Sequence, residues 1–482
     1  MTTAASDDRL EPALKRLIGM ILLGGTMGII DGTVVAVGVR TLAQHFHTSL
    51  STIGWVSTGY LLALTVAIPV TTWAVGRFGT KRLWTFGLVV FMAASLAAGL
   101  AWNIESLLVF RVVQGLGAGI LDPLLLMILA QAAGPSRAGR VMGLMGIVLS
   151  SGPVLGLIFG GVVLDALDWR WIFFINLPLG AVALAGARRL LPADAPGDPA
   201  ARVRLDLLGV ALLGPGVALL VLAMSRAADH GAFGVRQVWL PLVAGVTVLL
   251  GYAAHSLRVR STPPPIDLRL FTRPSFSAAV AIMALIGMST FANLFILPLY
   301  YQQLHGRGAL GAGLLLAPYG IGCAAAMPLA GRLSDRLGPR SLARWGAGTA
   351  LVGVAVLTRI GDGTSDVRPV LGAVVFGVGL SFVGAPTMGS LYRTLPPHLV
   401  PQGSSALYIL NQIGAAVGIA VITLILQMQG GASTATGFHD AYWFVFGTVV
   451  LVLAASFLLP GRPEPVPSPL APAFEETADK VH

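Results

Sequence analysis

The sequence predicts an all-α polytopic membrane protein whose fourteen transmembrane helices fall into groups of six, two and six, the two sixes being pseudo-symmetric halves. Three observations lead there. The 482 residues are 55% hydrophobic and only 11% charged, with a mean hydropathy of +0.81. A soluble domain carries about 25% charged residues, and no fold of this size hides so much apolar surface from water. The apolar residues come in runs of about 20, enough to cross a bilayer as a helix, without the short alternation of a barrel strand. Finally, Pro69-x-x-Thr72-x-x-x-Gly76-Arg77-x-Gly79-x-Lys81 returns 259 residues later as Pro328-x-x-Gly331-x-x-x-Asp335-Arg336-x-Gly338-x-Arg340. Each copy reads as a tight basic turn between two apolar helices, and such internal duplication is the architecture of transporters.

The spans follow in order. The first, 17–39, stands behind Lys15 and Arg16. It is too long for a signal-peptide core and lacks a small-residue cleavage site, so it reads as a retained helix. Spans 53–74 and 83–101 flank the first basic turn; 106–129, 141–164 and 171–188 complete the first six. A linker rich in Pro, Ala and Asp runs from Pro192 to Arg204, and spans 206–224 and 238–257 form a central pair. After a polar connection through Pro263, Pro264 and Pro265 come 276–300 and 310–331, the second turn, then 342–359, 370–391, 404–428 and 441–459. The expected organisation is therefore a terminal segment 1–16, a first half 17–188, linkers with two extra helices over 189–274, a second half 275–459, and a disordered tail 460–482.

Charge gives the orientation. The net charge is +10, but the basic residues sit between spans, so no nucleic-acid partner is implied. With the N-terminus inside, 23 of the 31 Lys and Arg fall in cytoplasmic segments and 7 in external ones, with Arg111 left inside a span. That asymmetry places both termini in the cytoplasm. The lone Cys323 excludes a disulfide framework within the chain. No phosphate loop, zinc-protease motif or nucleophile elbow occurs, so no catalytic role, metal or cofactor is expected.

Charges where they are expensive carry the functional signal, at about 2.5–3.5 kcal/mol each near mid-membrane. Asp31 lies deep in span 1, Arg111 in the outer third of span 4, and Asp122 nearer its inner end. Asp31 and Arg111 are at similar depth and can pair if their spans adjoin. Such an acid either carries protons as its surroundings alternate, or forms a buried ion pair that holds helices together. Arg111 cannot itself release a proton. Asp122 either joins the proton path, snorkels toward the inner interface, or bonds backbone freed by Pro123. The histidines lie near span ends, so a His relay is not expected. In span 5, Gly152, Gly156 and Gly160 share a helix face beside Pro153, and Gly414 and Gly418 repeat the pattern in span 13. In lipid such stripes allow close packing, and a Gly-Pro within one also suits a bend.

At these residues the chain resembles the fourteen-span drug:proton antiporters of the major facilitator superfamily, the EmrB/QacA type, over residues 15–460. Ile30-Asp31-Gly32-Thr33-Val34-Val35 is similar to that family's Asp-x-Thr signature. Arg111-Val112-Val113-Gln114-Gly115 is similar to its Arg-x-x-Gln-Gly motif, and Gly152-Pro153 through Gly160 to its antiporter helix motif. Trp169 through Pro178 and Pro298-Leu299-Tyr300-Tyr301-Gln302 are further family-like stretches. The resemblance implies the major facilitator fold, proton coupling through Asp31, Arg111 or Asp122, and Asp31 beside a central cavity. It also implies Thr33, Gln114, Tyr300, Gln302, Asn411 and Gln412 as cavity candidates. Arg77, Gly79, Lys81, Gly331, Asp335, Arg336, Gly338 and Arg340 become the conformational motif. The chain departs from the pattern at Thr72 and Gly76, where the family usually has Gly and Asp, and at Ala36, Leu157 and Asn411. With no acid at Gly76, the first turn must be weaker or built from other groups.

The expected activity is proton-driven export of small amphipathic compounds, such as drugs or antibiotics, across the plasma membrane by a monomer that needs no cofactor. Two alternatives stand beside it: a dedicated exporter of one endogenous metabolite or antibiotic, and a scaffold or sensor without transport.

Overall fold

The computed structural model describes residues 12–48, 50–192, 194, 206–230, 234–259, 262, 264–361, 363–396, 399–429 and 435–461. The sequence expectations for 1–11, for most of the 192–204 linker and for the tail beyond 461 lie outside them.

Among the described residues the regular structure is helical throughout. The helices are α1 (Pro12–His45), α2 (Leu50–Phe78), α3 (Thr80–Gly99), α4 (Ile104–Ala166), α5 (Trp171–Phe174), α6 (Asn176–Leu190), α7 (Leu207–His230) and α8 (Arg236–Arg258). A 3₁₀ turn (Leu268–Thr272) leads to α9 (Pro274–Gln303), α10 (Ala309–Leu337), α11 (Pro339–Leu357), α12 (Val367–Thr394), α13 (Val400–Met428) and α14 (Ala435–Ser456). Among the described residues twelve helical stretches are long and apolar enough to cross a membrane. The expected spans 141–164 and 342–359 are not among the twelve, though both are helical. The first is part of α4; the second is α11, whose opening turns carry Arg340 and Arg344. Expected span 171–188 is interrupted at Ile175 into α5 and α6, yet counts as one crossing from Trp171 to Leu190.

α4 has 63 residues. Straight, it would extend about 95 Å at 1.5 Å per residue, three times the roughly 30 Å hydrocarbon core. Its neighbours show that it turns back instead. Going up α1, Gly25 meets Leu125, Gly28 meets Asp122 and Asp31 meets Arg111, so the first leg runs antiparallel to α1. Beyond the turn, Gly152 meets Ile29, Gly156 meets Thr33 and Leu164 meets Gly38, so the second leg runs parallel to it. The reversal lies between Leu125 and Gly152, an interval containing the helix breakers Gly134 and Pro135.

Small residues set the helix contacts, as packing in lipid requires. Gly87 and Gly346 keep the 259-residue offset and play matching parts. A Cβ on Gly87 would lie 3.1 Å from Ile120 of α4, and one on Gly346 would lie 2.6 Å from the Gly379 carbonyl of α12. The second leg of α4 packs along α10, from Gly143 against Met327 to Gly161 against Leu310. That contact joins the N-terminal group of helices (α1–α6) to the C-terminal group (α9–α14). The extra pair α7–α8 packs on the outside, with α7 between α2 and α13. Gly214 approaches Val66 there, and Ala223, Met224 and Ala227 share a buried cluster with Ala420.

The two basic turns have the same backbone. Gly79 has φ 86° and ψ 165°, and Gly338 has φ 84° and ψ 153°. Positive φ at both favours glycine, and each lets one helix end and the next begin within a single residue.

Candidate functional site

Asp31, Arg111 and Gln114 meet, as their depths allow, because α1 and the first leg of α4 adjoin. Asp31 forms a buried ion pair with Arg111 Nη1. Its other oxygen, Oδ1, accepts from Gln114 Nε2 at 2.9 Å and from Asn176 Nδ2 at 2.8 Å. Gln114 returns the favour to the cation, accepting from Arg111 Nη1 at 2.7 Å, and its Nε2 also donates to Ser95 Oγ at 2.6 Å. Arg111 Nε donates to the Val56 carbonyl at 3.1 Å, and the guanidinium lies 4.2 Å from the Tyr60 ring centroid. All these groups are inside the N-terminal helices: Arg111, Gln114, Ser95 and Asn176 are fully buried, and Asp31 is 1% exposed. Removing one partner of such a pair costs about 3–5 kcal/mol, because it strands the other charge.

Asp122 has a different neighbourhood. It is buried, and its Oδ2 accepts a hydrogen bond from the Tyr408 hydroxyl of α13, so the contact crosses between the two groups of helices. Neither of the alternatives read from the sequence, backbone near Pro123 or the membrane interface, supplies this partner. Tyr408 itself lines a cavity of about 790 Å³ of empty space, counting its open mouth. The walls come from α9 (Met283, Ile286, Thr290, Phe291), α10 (Tyr319, Cys323, Met327), α12 (Leu380, Ser381, Met388) and α13 (Tyr408, Asn411, Gln412), with Ile29 from α1. The lining is apolar and aromatic with a few amides and hydroxyls, the composition of a small-molecule pocket.

The structure sorts the cavity candidates. Asn411 and Gln412 line the cavity, Asn411 with its Nδ2 donating to the Met283 carbonyl at 2.9 Å. Asp31 does not, because it faces into the N-terminal helices, while Ile29 two residues earlier faces out. Thr33 bonds the Ile29 and Ile30 carbonyls of its own helix and packs on Gly156, and Gln114 belongs to the Asp31 cluster. Tyr300 is buried at the far end of α9, with its hydroxyl on the Gly361 carbonyl, and Gln302 is exposed. In the glycine stripe, Gly152 and Gly156 pack on α1, and Gly160 is buried; the Pro153 side chain lies outside the described residues.

At the first turn, the missing acid is supplied from elsewhere. Asp194, from the linker after α6, accepts from the backbone N–H of Lys81 at 2.9 Å and of Arg82 at 3.0 Å, at the start of α3. Lys81 Nζ in turn donates to the carbonyls of Arg188 and Leu191, both at 2.8 Å. Arg77 is exposed. At the second turn, Arg340 Nε donates to the Leu459 carbonyl at 2.6 Å, Gly331 is buried and Arg336 is exposed. The side chain of Asp335 lies outside the described residues.

Ser95, Asn176, Tyr60, Tyr408 and Asp194 are the residues that sequence reasoning did not assign to these sites. Asn176 was visible as a lone amide in an apolar stretch. The others look ordinary until the helices are packed.

Residues 17–419 match the family model of the Major Facilitator Superfamily. The chain belongs to that superfamily. Curated relatives agree over most of its length. It is 37% identical over 432 residues to the multidrug resistance protein B homolog of Mycobacterium tuberculosis, covering 88% of this chain and 78% of that one. It is 29% identical over 449 residues to the lincomycin resistance protein LmrB of Listeria monocytogenes, covering 90% and 94%. Among solved structures, the proton:xylose symporter XylE superposes with a TM-score of 0.65 at 15% identity, covering 93% of this chain and 96% of that one. The human organic anion transporter MFSD10 (TETRAN) gives 0.64 at 16%, covering 92% and 100%. At those identities the likeness is one of fold. This major facilitator protein is thus a multi-pass membrane transporter of small molecules and not an enzyme.

Proposed function

We propose that this major facilitator protein is a proton-coupled exporter of small amphipathic compounds, drugs or antibiotics among them, of the fourteen-span antiporter type. The observation that carries the reading is a mainly apolar cavity with an amide pair, Asn411 and Gln412, walled by C-terminal helices and Ile29 of α1, beside the N-terminal group that holds buried acids at Asp31 and Asp122. Its relatives named for multidrug and lincomycin resistance support the substrate class. Asp31, held and tuned by Arg111, is the primary proton site. A proton entering down about 100 mV supplies roughly 2.3 kcal/mol, enough for a gradient of about fiftyfold.

Fourteen crossings follow if the second leg of α4 and α11 are added to the twelve apolar stretches. Both are helical, and each packs along its neighbours within the bundle. The chain then divides into halves 17–188 and 275–459, with two extra helices in 189–274 and a tail from 460. The basic asymmetry puts both termini in the cytoplasm, with the plasma membrane as the site of action. Transport runs in a monomer, on the proton gradient and without a cofactor.

The test is proton flux and ethidium or lincomycin movement in reconstituted vesicles with an imposed pH gradient. Substrate movement that tracks the gradient supports antiport. Movement indifferent to the gradient, or an absence of proton flux on adding substrate, overturns it. A reporter active only outside the cytosol, fused at the C-terminus, is expected to stay silent.

A further inference from the structure

The two buried acids divide their partners differently. Among the described residues, every group bonded to the Asp31 cluster comes from the same half: Val56 of α2, Ser95 of α3, Arg111 and Gln114 of α4, and Asn176 of α6. If the halves rock as bodies, that cluster travels intact. Asp122 is held across the seam, by Tyr408 of the other half. On α13, which begins at the end of the molecule carrying the basic turns, Tyr408 precedes the other cavity residues Asn411 and Gln412. The contact therefore ties the halves on the basic-turn side of the cavity.

We propose that the Asp122–Tyr408 hydrogen bond is the proton-responsive tie between the halves, released when Asp122 is protonated and remade when it ionises. This deepens the proton-coupled reading above and rests on it. In the step, a proton from bulk water adds to the carboxylate oxygen that accepts from Tyr408. That oxygen becomes an O–H, the charge-assisted bond is lost, and the basic-turn side is free to open. There the O–H returns its proton to water, the carboxylate takes up the Tyr408 hydrogen again, and that side closes. Because Tyr408 also lines the cavity, ligand occupancy and protonation act on one side chain.

The groups around Asp122 leave it free to do this. From α2 it faces Tyr60, whose hydroxyl donates to the Gly28 carbonyl of α1 at 3.3 Å, and from α1 it meets Gly28 itself. On its own helix Arg111 is about three turns away and committed to Asp31. From α10, Tyr319 and Cys323 line the cavity, and α12 carries its Arg393 at the basic-turn end, donating to Ser334.

The experiment needs no known substrate. Spin labels on Trp102→Cys and Gly363→Cys, exposed in loops of the two halves away from the basic turns, report the distance across the seam, while Cys323 is buried. In vesicles, acid is expected to shorten that distance in the otherwise unaltered protein. Asp122→Asn should abolish the shift, and Tyr408→Phe should remove most of it, with both proteins still inserted and monodisperse. If either variant keeps the full shift, this inference fails and the proton-coupled reading stands. If the otherwise unaltered protein shows no shift at any pH, the proton-coupled reading fails with it.

Discussion

Lys81 and Arg340, 259 residues apart in the duplicated motif, each hold the carbonyl end of the last helix in their own group. Lys81 Nζ binds the Arg188 and Leu191 carbonyls at the end of α6, and Arg340 Nε binds the Leu459 carbonyl just beyond α14. A cation at the carbonyl end of a helix meets both the unpaired C=O groups and the negative end of the dipole. The duplication is therefore one of contacts as well as of letters, and it ties the second and third helices of each group to the sixth.

In the first copy the tie depends on Asp194, whose carboxylate bonds two backbone N–H groups of α3. Losing a helix cap costs about 0.5–2 kcal/mol. Asp194→Ala is expected to speed hydrogen exchange at the Lys81 and Arg82 amides severalfold and to slow transport. Unchanged exchange there would show that the carboxylate holds nothing. In the second copy, Asp335→Asn should impair transport at normal expression. Wild-type turnover in that variant would leave the second turn as an orientation signal alone.

Asp31→Asn should remove proton-driven efflux while leaving inserted protein, because Asn still offers an oxygen to Arg111. Arg111→Lys should also be damaging, since one ammonium cannot reach Asp31, Gln114 and the Val56 carbonyl in the geometry of the planar fork. Proton flux and melting temperature, measured together on purified protein, separate the two roles. A lower melting temperature with normal flux would make the pair a structural clamp, the alternative that the sequence left open.

The sequence showed the helices, the duplication and the depth of Asp31 and Arg111, since lipid imposes length and apolarity on every span. It also showed that the two could pair. Which acid faces which half was not legible. Asp31 and Ile29 are two residues apart on one helix, and only packing decides that Ile29 lines the cavity while Asp31 is sealed. Tyr408 reads as one more apolar-span aromatic until α13 is set beside α4. Asp194 sits in a linker of low complexity, where nothing marks it as the cap of a helix 113 residues earlier. Long-range partners of this kind depend on tertiary geometry, which a local pattern does not encode.

Helix glycines differ in how closely their neighbours approach, which allows a paired test. A Cβ on Gly414 would lie 2.0 Å from the Ala284 carbonyl oxygen of α9, a backbone atom, whereas one on Gly161 would meet Leu310 no closer than 3.7 Å. Forcing atoms into a filled contact costs about 1–3 kcal/mol. Gly414→Ala should lower the melting temperature and the yield of folded protein, and Gly161→Ala should do neither. Equal behaviour of the two variants would mean that α9 and α13 yield without cost.

At the end of the bundle away from the basic turns, Asp366 joins the α11–α12 connection to the α9–α10 connection. Its carboxylate accepts from His305 Nδ1 at 2.7 Å and from Arg307 Nη2, and its carbonyl accepts from the Tyr301 hydroxyl at 3.0 Å. Partial burial pushes the Asp366 carboxyl up, but the hydrogen bonds and charges of Arg307 and His305 outweigh it and hold it below the usual carboxylate range. A carboxyl depressed on folding adds stability above its unfolded value and loses it as pH falls through its folded value. The clamp should therefore be intact at neutral pH and weaken only in acid below the ordinary range of an Asp. Hydrogen exchange or limited proteolysis at 304–308 and 363–366 is expected to rise over that acid window in the wild type. Asp366→Asn should show the raised level already at neutral pH, with no further rise in acid. If these loops open near neutral pH in the wild type, or if Asp366→Asn leaves them closed, the carboxylate is not what holds them.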